Sequence, residues 1–244
     1  MTEVVAEKLY AIDLDRTVYD TNRAFAKMVR IAVENGLADR AAIAQARRSV
    51  EVTKGSFDLL GFLGTKGISD HELDDLQTVF GNNTENDDFL YPDAHFLYQA
   101  LDDTATPHFT YTKGGQQNQT AKLLSVRRPG RSLLDEPYVI TDSVYKGRSL
   151  AAMRVPEGGY LVDGWYGQSS RIRLLARSIC LLEDKPASLD GLPEDCSAAL
   201  VDRSLTPAQA AAVPLVQGRI PTYASLDLVA AQVYRDAELR PDRV

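Results

Sequence analysis

The stretch AIDLDRTVYDT, residues 11–21, follows the apolar-leaning run VVAEKLY and sets Asp13 and Asp15 one residue apart at the end of what reads as a buried strand. A carboxylate is costly to bury, and two so close together repel each other. Something must compensate them: a metal, a chemical task, or solvent at a turn. The rest of the chain narrows that choice.

With 244 residues the chain is long enough for a sizeable core and for one domain carrying a large insertion. A net charge of −7 argues against a general nucleic-acid or anionic-membrane binder. It leaves room for a small anionic substrate, because a metal or a few basic groups reverse the potential at one site. The only cysteines, Cys180 and Cys196, form no CxxC pair, and His71, His95 and His108 show no ligand-like spacing to them, so zinc is not expected. No apolar run approaches membrane-spanning length, and MTEVVAEKLY is acidic where a signal peptide is basic, so a cytoplasmic protein is expected.

Beyond the opening strand the pattern becomes helical. NRAFAKMVRIAVENGL, RAAIAQARRSVEV, SFDLLGFLG and SDHELDDLQTVFG carry apolar residues at helical spacing, the last opening with the Ser69–Glu72 capping pair. From residue 92 strands and helices alternate. LYPDAHFLYQALDD is a helix after Pro92, PHFTYT a strand ending at Gly114–Gly115, QQNQTAKLLSV a helix and PYVITDS a strand. GRSLAAM is a short helix, GGYLVDGWYG a strand or part of a hairpin, and SSRIRLLAR is expected to be helical. SICLLED and SAALVDR are strands, and SLDLVAAQVYRDAE is a closing helix. This alternation predicts an α/β fold, a Rossmann-like parallel sheet with helices on both faces and an inserted α-helical segment.

In such sheets ligands bind beyond the carboxyl ends of the strands. The strands here end in Asp13–Leu14–Asp15, Thr112–Lys113–Gly114, Thr141–Asp142–Ser143 before Lys146, and Glu183–Asp184–Lys185. Acids, a hydroxyl and a lysine therefore converge on one edge.

In this order the residues resemble the haloacid dehalogenase-like (HAD) superfamily, whose commonest members are magnesium-dependent phosphatases. Its first motif, Asp-x-Asp-x-Thr after an apolar strand, is matched by Asp13, Asp15 and Thr17. Its second, a strand ending in Thr or Ser, is matched by Thr112, with Lys113 where Asn is usual. QTAKL, Gln119–Leu123, matches a Gln-x-x-Lys-Leu stretch of related members. Lys146 stands in the place of the third motif, and Glu183–Asp184 in that of the fourth. The resemblance covers most of the chain and implies a core of residues 1–20 and 92–244 with a helical cap at 21–91.

It also implies a chemistry. Mg²⁺ would neutralise charge and align a phosphate monoester with a carboxylate nucleophile. Asp13 would attack phosphorus and become an aspartyl-phosphate, and Asp15 would act as general acid and then general base. Thr112 and Lys146 would hold the phosphoryl oxygens. Asp13, the backbone carbonyl of Asp15, Glu183 and Asp184 would hold the metal. The implied activity is a phosphatase acting on a small phosphorylated metabolite. A phosphomutase or phosphotransferase would use the same intermediate, and a non-catalytic binding protein could keep the fold. Dehalogenation is disfavoured because it does not need Asp15.

The departures are Arg16 where Gly is most frequent, Lys113 for Asn, and Glu183 for the usual first acid. Asp163 in GYLVDGW is a rival to Glu183–Asp184. The pair is preferred because a strand follows it and only a short helix separates Lys146 from Asp163. Thr110 is a rival to Thr112, which the Gly114–Gly115 turn favours. Arg16 is expected to face solvent, Lys122 to be a surface lysine, Arg127–Arg128 a solvated loop, and His108 a partly buried structural histidine. Trp165 with Tyr160 and Tyr166 is expected to pack in a core or hairpin.

Overall fold

Strand β1 (Thr2–Ile12) sends Leu9 and Ala11 to one face of a sheet and Tyr10 and Ile12 to the other, and all four are buried. A strand covered on both faces is what a parallel sheet between two layers requires. The computed structural model describes residues 2–52, 57–82, 88–128, 131–167 and 169–238. Ser56, which opens the third predicted helical segment, and the extreme ends of the expected core lie outside these residues.

After β1 come four helices, α1 (Thr21–Glu34), α2 (Arg40–Val52), α3 (Leu59–Thr65) and α4 (Asp70–Asn82). Asp20 caps α1 by accepting from the Arg23 N–H, Asp58 caps α3 through Gly61, and Ser69 and Glu72 make the expected reciprocal contacts before α4. The chain leaves for this block and returns at one place. Asp20 N–H donates to Phe89 O (2.8 Å) and Tyr91 N–H to Val18 O (3.0 Å), so the two linkers run side by side.

There follow α5 (Pro92–Asp103), β2 (His108–Lys113), α6 (Gln116–Ser125), the two-residue strands β3 (Arg127–Arg128) and β4 (Arg131–Ser132), β5 (Pro137–Thr141) and α7 (Lys146–Ala151). Then come β6 (Tyr160–Tyr166), β7 (Ser170–Glu183), β8 (Ser197–Val201), α8 (Pro207–Ala212), β9 (Thr222–Tyr223) and α9 (Asp227–Glu238). The order β5–β2–β1–β7–β8–β9 is parallel throughout. Strand β6 is antiparallel to both β7 and β5, which closes β1, β2, β5, β6 and β7 into a ring of pairings.

Here the structure corrects one expectation. SSRIRLLAR is not a helix but the first half of the 14-residue β7. Ile172, Leu174 and Ala176 are buried in alternation with less buried neighbours, a period of two. This half is paired on both edges, with Thr2–Ala6 of β1 and with Tyr160–Tyr166 of β6. The basic residues Arg171, Arg173 and Arg177 lie among the less buried positions and mask the alternation in the sequence.

Two apolar clusters fill the two faces. One joins Tyr10, Ile12 and Leu182 to Met28 of α1, Leu63 of α3, Phe80 of α4, Leu97 of α5 and Leu123 of α6. The inserted helices therefore share one buried cluster with the sheet. The other joins Leu9, Ala11, Tyr111 and Leu181 to Leu150 of α7 and to Leu189 and Leu192.

Candidate active site

Register builds the site. Ile12 lies opposite Leu182 and Asp13 N–H donates to Leu182 O (2.9 Å), so the first acid after β1 comes beside Glu183, the last residue of β7. One carboxylate oxygen each from Asp13, Glu183 and Asp184 lie within 4.8 Å of one another. Lys146, the first residue of α7, is buried against them. Its ammonium pairs with Asp13 Oδ1 and lies 2.8 Å from Glu183 Oε2. Thr17 donates to Asp13 Oδ2 (2.8 Å), so both oxygens of Asp13 are held.

The electrostatics follow from one buried ammonium, Lys146, set against three acids, with the exposed Lys185 ammonium 3.4 Å from Asp184 Oδ1 alone. Burial, then the Glu183 charge, push the Asp13 carboxyl up to about 6, against the pull of Lys146. Burial likewise raises Glu183, and burial with the Asp13 charge raises Asp184. For Lys146 burial favours the neutral amine, but Asp13 and Glu183 outweigh it and the pKa is raised. Asp184 Oδ1 is buried without a hydrogen bond, and Glu183 Oε2 has the Lys146 ammonium near but not in hydrogen-bond geometry. Clustered, under-satisfied carboxylate oxygens are the donor set of a hard divalent cation, so these residues fit Mg²⁺.

Asp15 has different surroundings. The Lys122 ammonium donates to both of its oxygens (2.7 and 2.8 Å), the Thr21 hydroxyl donates at 2.8 Å, and Gln119 Nε2 lies at 3.4 Å. Burial works to raise its pKa, but Lys122 and these donors outweigh it and hold the carboxyl below its ordinary value. Lys122 is thus no surface lysine: it is 8% exposed, on the inner face of α6. Gln119 and Lys122, three apart on one helix face, both turn to the strand end. That spacing was the available signal.

Thr112 is fully buried, and its hydroxyl donates to Gln119 Oε1 (3.1 Å), while Gln119 Nε2 also donates to Lys113 O (3.0 Å). Thr110 is buried too. The turn after β2 needs its glycines. Gly114 has φ +150°, and a Cβ on Gly115 would stand 2.2 Å from the carboxylate of Asp58, the cap of α3. The inserted helices therefore come against the strand end here.

Arg203, which the sequence did not single out, pins the loop after β1. Its Nε donates to Arg16 O and Thr17 O (3.1 Å each), Nη1 to Asp93 Oδ2 (2.8 Å), and its guanidinium lies 3.9 Å from the centre of the Tyr91 ring. This ties the loop, with Arg16 at φ +69°, to the returning linker.

Above these groups lies a cavity of ≈370 Å³, open between the strand ends and the inserted helices. Asp13, Asp15, Lys122, Lys146 and Glu183 line its floor. Arg16, exposed as expected, and Lys113 also border it. Asp163 lies elsewhere. Exposed on β6 and paired with Arg173 (3.2 Å), it is level with Glu3, ten residues from the Asp13 end of β1 and so about 33 Å away along the strand. Arg128 corrects the expectation of a solvated loop: it is buried, pairs with Glu136 and Asp102, and lies over Tyr98. His108, partly buried, lies 3.2 Å from Glu136. Tyr160 is buried, and Trp165 sits in the β6–β7 hairpin under Arg171.

No family model matches the sequence, and no curated protein does. Solved structures do. A protein from Burkholderia xenovorans LB400, assigned as a haloacid dehalogenase-like hydrolase, matches 92% of this chain over 97% of its own, with a TM-score of 0.55 at 13% identity. YfnB from Bacillus subtilis, assigned as a HAD-hydrolase and bound to magnesium, covers 93% of this chain and 98% of its own, with a TM-score of 0.48 at 14% identity. With its mostly parallel sheet and helices in between, the chain has the fold of the haloacid dehalogenase-like hydrolases.

Proposed function

We propose that the protein is a Mg²⁺-dependent phosphatase that hydrolyses a small phosphorylated metabolite through an aspartyl-phosphate on Asp13. The observation that carries this reading is the Asp13–Glu183–Asp184 carboxylate cluster with Lys146 buried against it, Asp13, Glu183 and Lys146 lining a cavity. Asp13, Glu183, Asp184 and the backbone carbonyl of Asp15 would hold Mg²⁺. When bound, the ion supplies charge neutralisation that lets a carboxylate approach a phosphate dianion.

The chain's own groups do the rest. Thr17 and Lys146 orient the Asp13 carboxylate, and Lys146 stays charged to stabilise the phosphoryl oxygens. Asp15 handles protons. It gives one to the leaving alcohol and takes one from the water that cleaves the acyl-phosphate. Lys122 holds it ionised at rest, the form the second of these steps needs, so for the first it takes up a proton brought by the phosphate monoanion or by solvent as the substrate binds. Thr112 contributes through Gln119, which it fixes between Lys113 and Asp15. Residues 21–91 act as a cap over the cavity, limiting water at the reacting centre. The two cysteines are free and buried, in keeping with a reducing, cytoplasmic setting.

The test is hydrolysis of 4-nitrophenyl phosphate with Mg²⁺, with EDTA, and by Asp13→Asn. We expect turnover that requires Mg²⁺ and falls by about 10³-fold or more in the variant. Absence of turnover together with absence of Mg²⁺ binding by calorimetry would overturn the reading in favour of a binding protein.

A further inference from the structure

Asn118 stands at the cavity without a partner. It lies in the first turn of α6, is 8% exposed and lines the cavity, yet its side-chain amide makes no hydrogen bond among the described residues. Of the other buried polar side chains in the lining, Asp13, Lys122, Lys146 and Glu183 are held by protein groups. The remaining one, Ser188, is also without a side-chain hydrogen bond, but it follows the carboxylate pair after β7. A buried amide left unpaired lowers stability, so one that is kept at a cavity wall calls for a ligand.

Its neighbours tell which part of a ligand it meets. Asn118 is four residues before Lys122, whose ammonium holds Asp15, so the two lie on one helix face a turn apart. Asp15 serves the leaving oxygen in the phosphatase reading, and Asn118 is one turn beyond it, toward the inserted helices. That direction is fixed by Gly115, three residues before Asn118, where a Cβ would stand 2.2 Å from Oδ2 of Asp58, the cap of α3. Phe57, next to Asp58, lines the cavity with Phe25 of α1, their rings edge to face at 5.9 Å. Both are partly exposed. An aromatic wall with one neutral amide beside it suits a flat, uncharged ring that carries a hydrogen-bonding edge. A carboxamide offers a donor and an acceptor side by side, so its match is a group with the same pair reversed. A volume of ≈370 Å³ is at the small end of ligand sites, room for about one ring beyond the phosphoryl group.

We propose that the substrate is a phosphomonoester whose leaving alcohol carries a ring laid against Phe25 and Phe57 and, on that ring, a neutral N–H/C=O edge bound by the side-chain amide of Asn118. The inference rests on the phosphatase reading for which oxygen leaves, and it names the part of the substrate which that reading leaves open. Asn118 touches this body and not the reacting atoms, so it sets specificity.

The experiment is calorimetric titration of the full chain in Mg²⁺ with four non-hydrolysable probes: methylphosphonate, phenylphosphonate, and 3- and 4-carbamoylphenylphosphonate. The ring should tighten binding about tenfold or more over the methyl group. The better of the two carbamoyl probes should gain about threefold or more over phenylphosphonate. Asn118→Ala should abolish the carbamoyl gain and keep the ring gain, and Phe25→Ala should reduce the ring gain about threefold or more. A second readout separates a ligand-binding amide from a structural one. Asn118→Ala strands no protein group, so its thermal midpoint without ligand should equal or exceed that of the wild type. A fall of about 3 °C or more would make the amide structural and overturn the inference. Equal binding of phenylphosphonate and both carbamoyl probes, a carbamoyl gain that survives Asn118→Ala, or binding of no probe also overturns it. The two readings fail separately. Turnover of 4-nitrophenyl phosphate without a carbamoyl preference sinks this inference alone. A preference that depends on Asn118, in a protein that turns over no ester, sinks the phosphatase alone.

Discussion

Asp13 and Asp15 are two residues apart, the first buried and the second half-buried, and opposite in acidity. Around Asp13 three carboxylates share one buried ammonium, that of Lys146, Asp184 Oδ1 has no hydrogen bond and only the exposed Lys185 ammonium 3.4 Å away, and the acid is weakened. Around Asp15 one carboxylate has an ammonium on both oxygens and a hydroxyl besides, and the acid is strengthened. Desolvation acts on both in the same direction, so the difference is made by partners. It teaches that the first site is incomplete as a protein-only structure while the second is complete. A group that is electrostatically finished has no call on an added cation; one left in debt of positive charge does.

The largest test of this contrast removes each lysine in turn. Lys146→Met leaves Asp13 and Glu183 without the one buried ammonium they share, and we expect a loss of about 3–5 kcal/mol in urea unfolding with EDTA present. Lys122→Met should cost less, about 1–3 kcal/mol, because Thr21 and Gln119 still donate to Asp15 and its side chain is 17% exposed. Equal losses would break the comparison.

Next comes pH, where the two acids pull in opposite directions. Asp13 has its folded pKa raised from 3.8 to about 6, so between these values the folded state binds more protons than the unfolded state and stability falls as pH rises. The full effect is about 3 kcal/mol, present above pH 6 as a destabilisation and gone below pH 4. For Asp15 the folded pKa lies below 3.8. Its contribution is stabilising above that value and is lost as pH falls through the folded pKa. Unfolding midpoints in EDTA, compared with Asp13→Asn and Asp15→Asn, should show both slopes. A wild type whose curve parallels Asp13→Asn from pH 4 to 6 would remove the premise that Asp13 is strained.

The same contrast explains what could be read in the sequence. Asp13, Lys146, Glu183 and Asp184 were visible because each ends a strand or begins the helix after one, and a parallel sheet gathers strand ends at one edge. Lys122 was hidden by its place inside a helix, where a lone lysine ordinarily faces water; only its pairing with Gln119 three residues earlier hinted otherwise. Arg203 was invisible because its partners Thr17 and Asp93 are 186 and 110 residues away. The first half of β7 was misread because three arginines along it obscure the alternation of Ile172, Leu174 and Ala176. Local pattern shows which positions are apolar; it does not show which charged side chain a distant strand will bring indoors.

The smallest effect is the sharpest, since it separates the two acids by one added ion. A ligand that binds only the folded state stabilises it by RT ln(1 + [L]/Kd), about 1.4 kcal/mol at ten times Kd. For a chain of this length that is a rise of about 3–6 °C in Tm. Mg²⁺ should produce such a rise at pH 7, and the rise should shrink at pH 5, where Asp13 is mostly protonated and must lose its proton to bind. It should vanish in Asp184→Asn, which loses a member of the carboxylate trio. It should persist in Asp15→Asn, because that side chain is already occupied by Lys122 and the substitution keeps the backbone carbonyl. If Asp15→Asn abolished the shift and Asp184→Asn did not, the cation would belong with the electrostatically complete acid, and the contrast drawn between the two would be reversed.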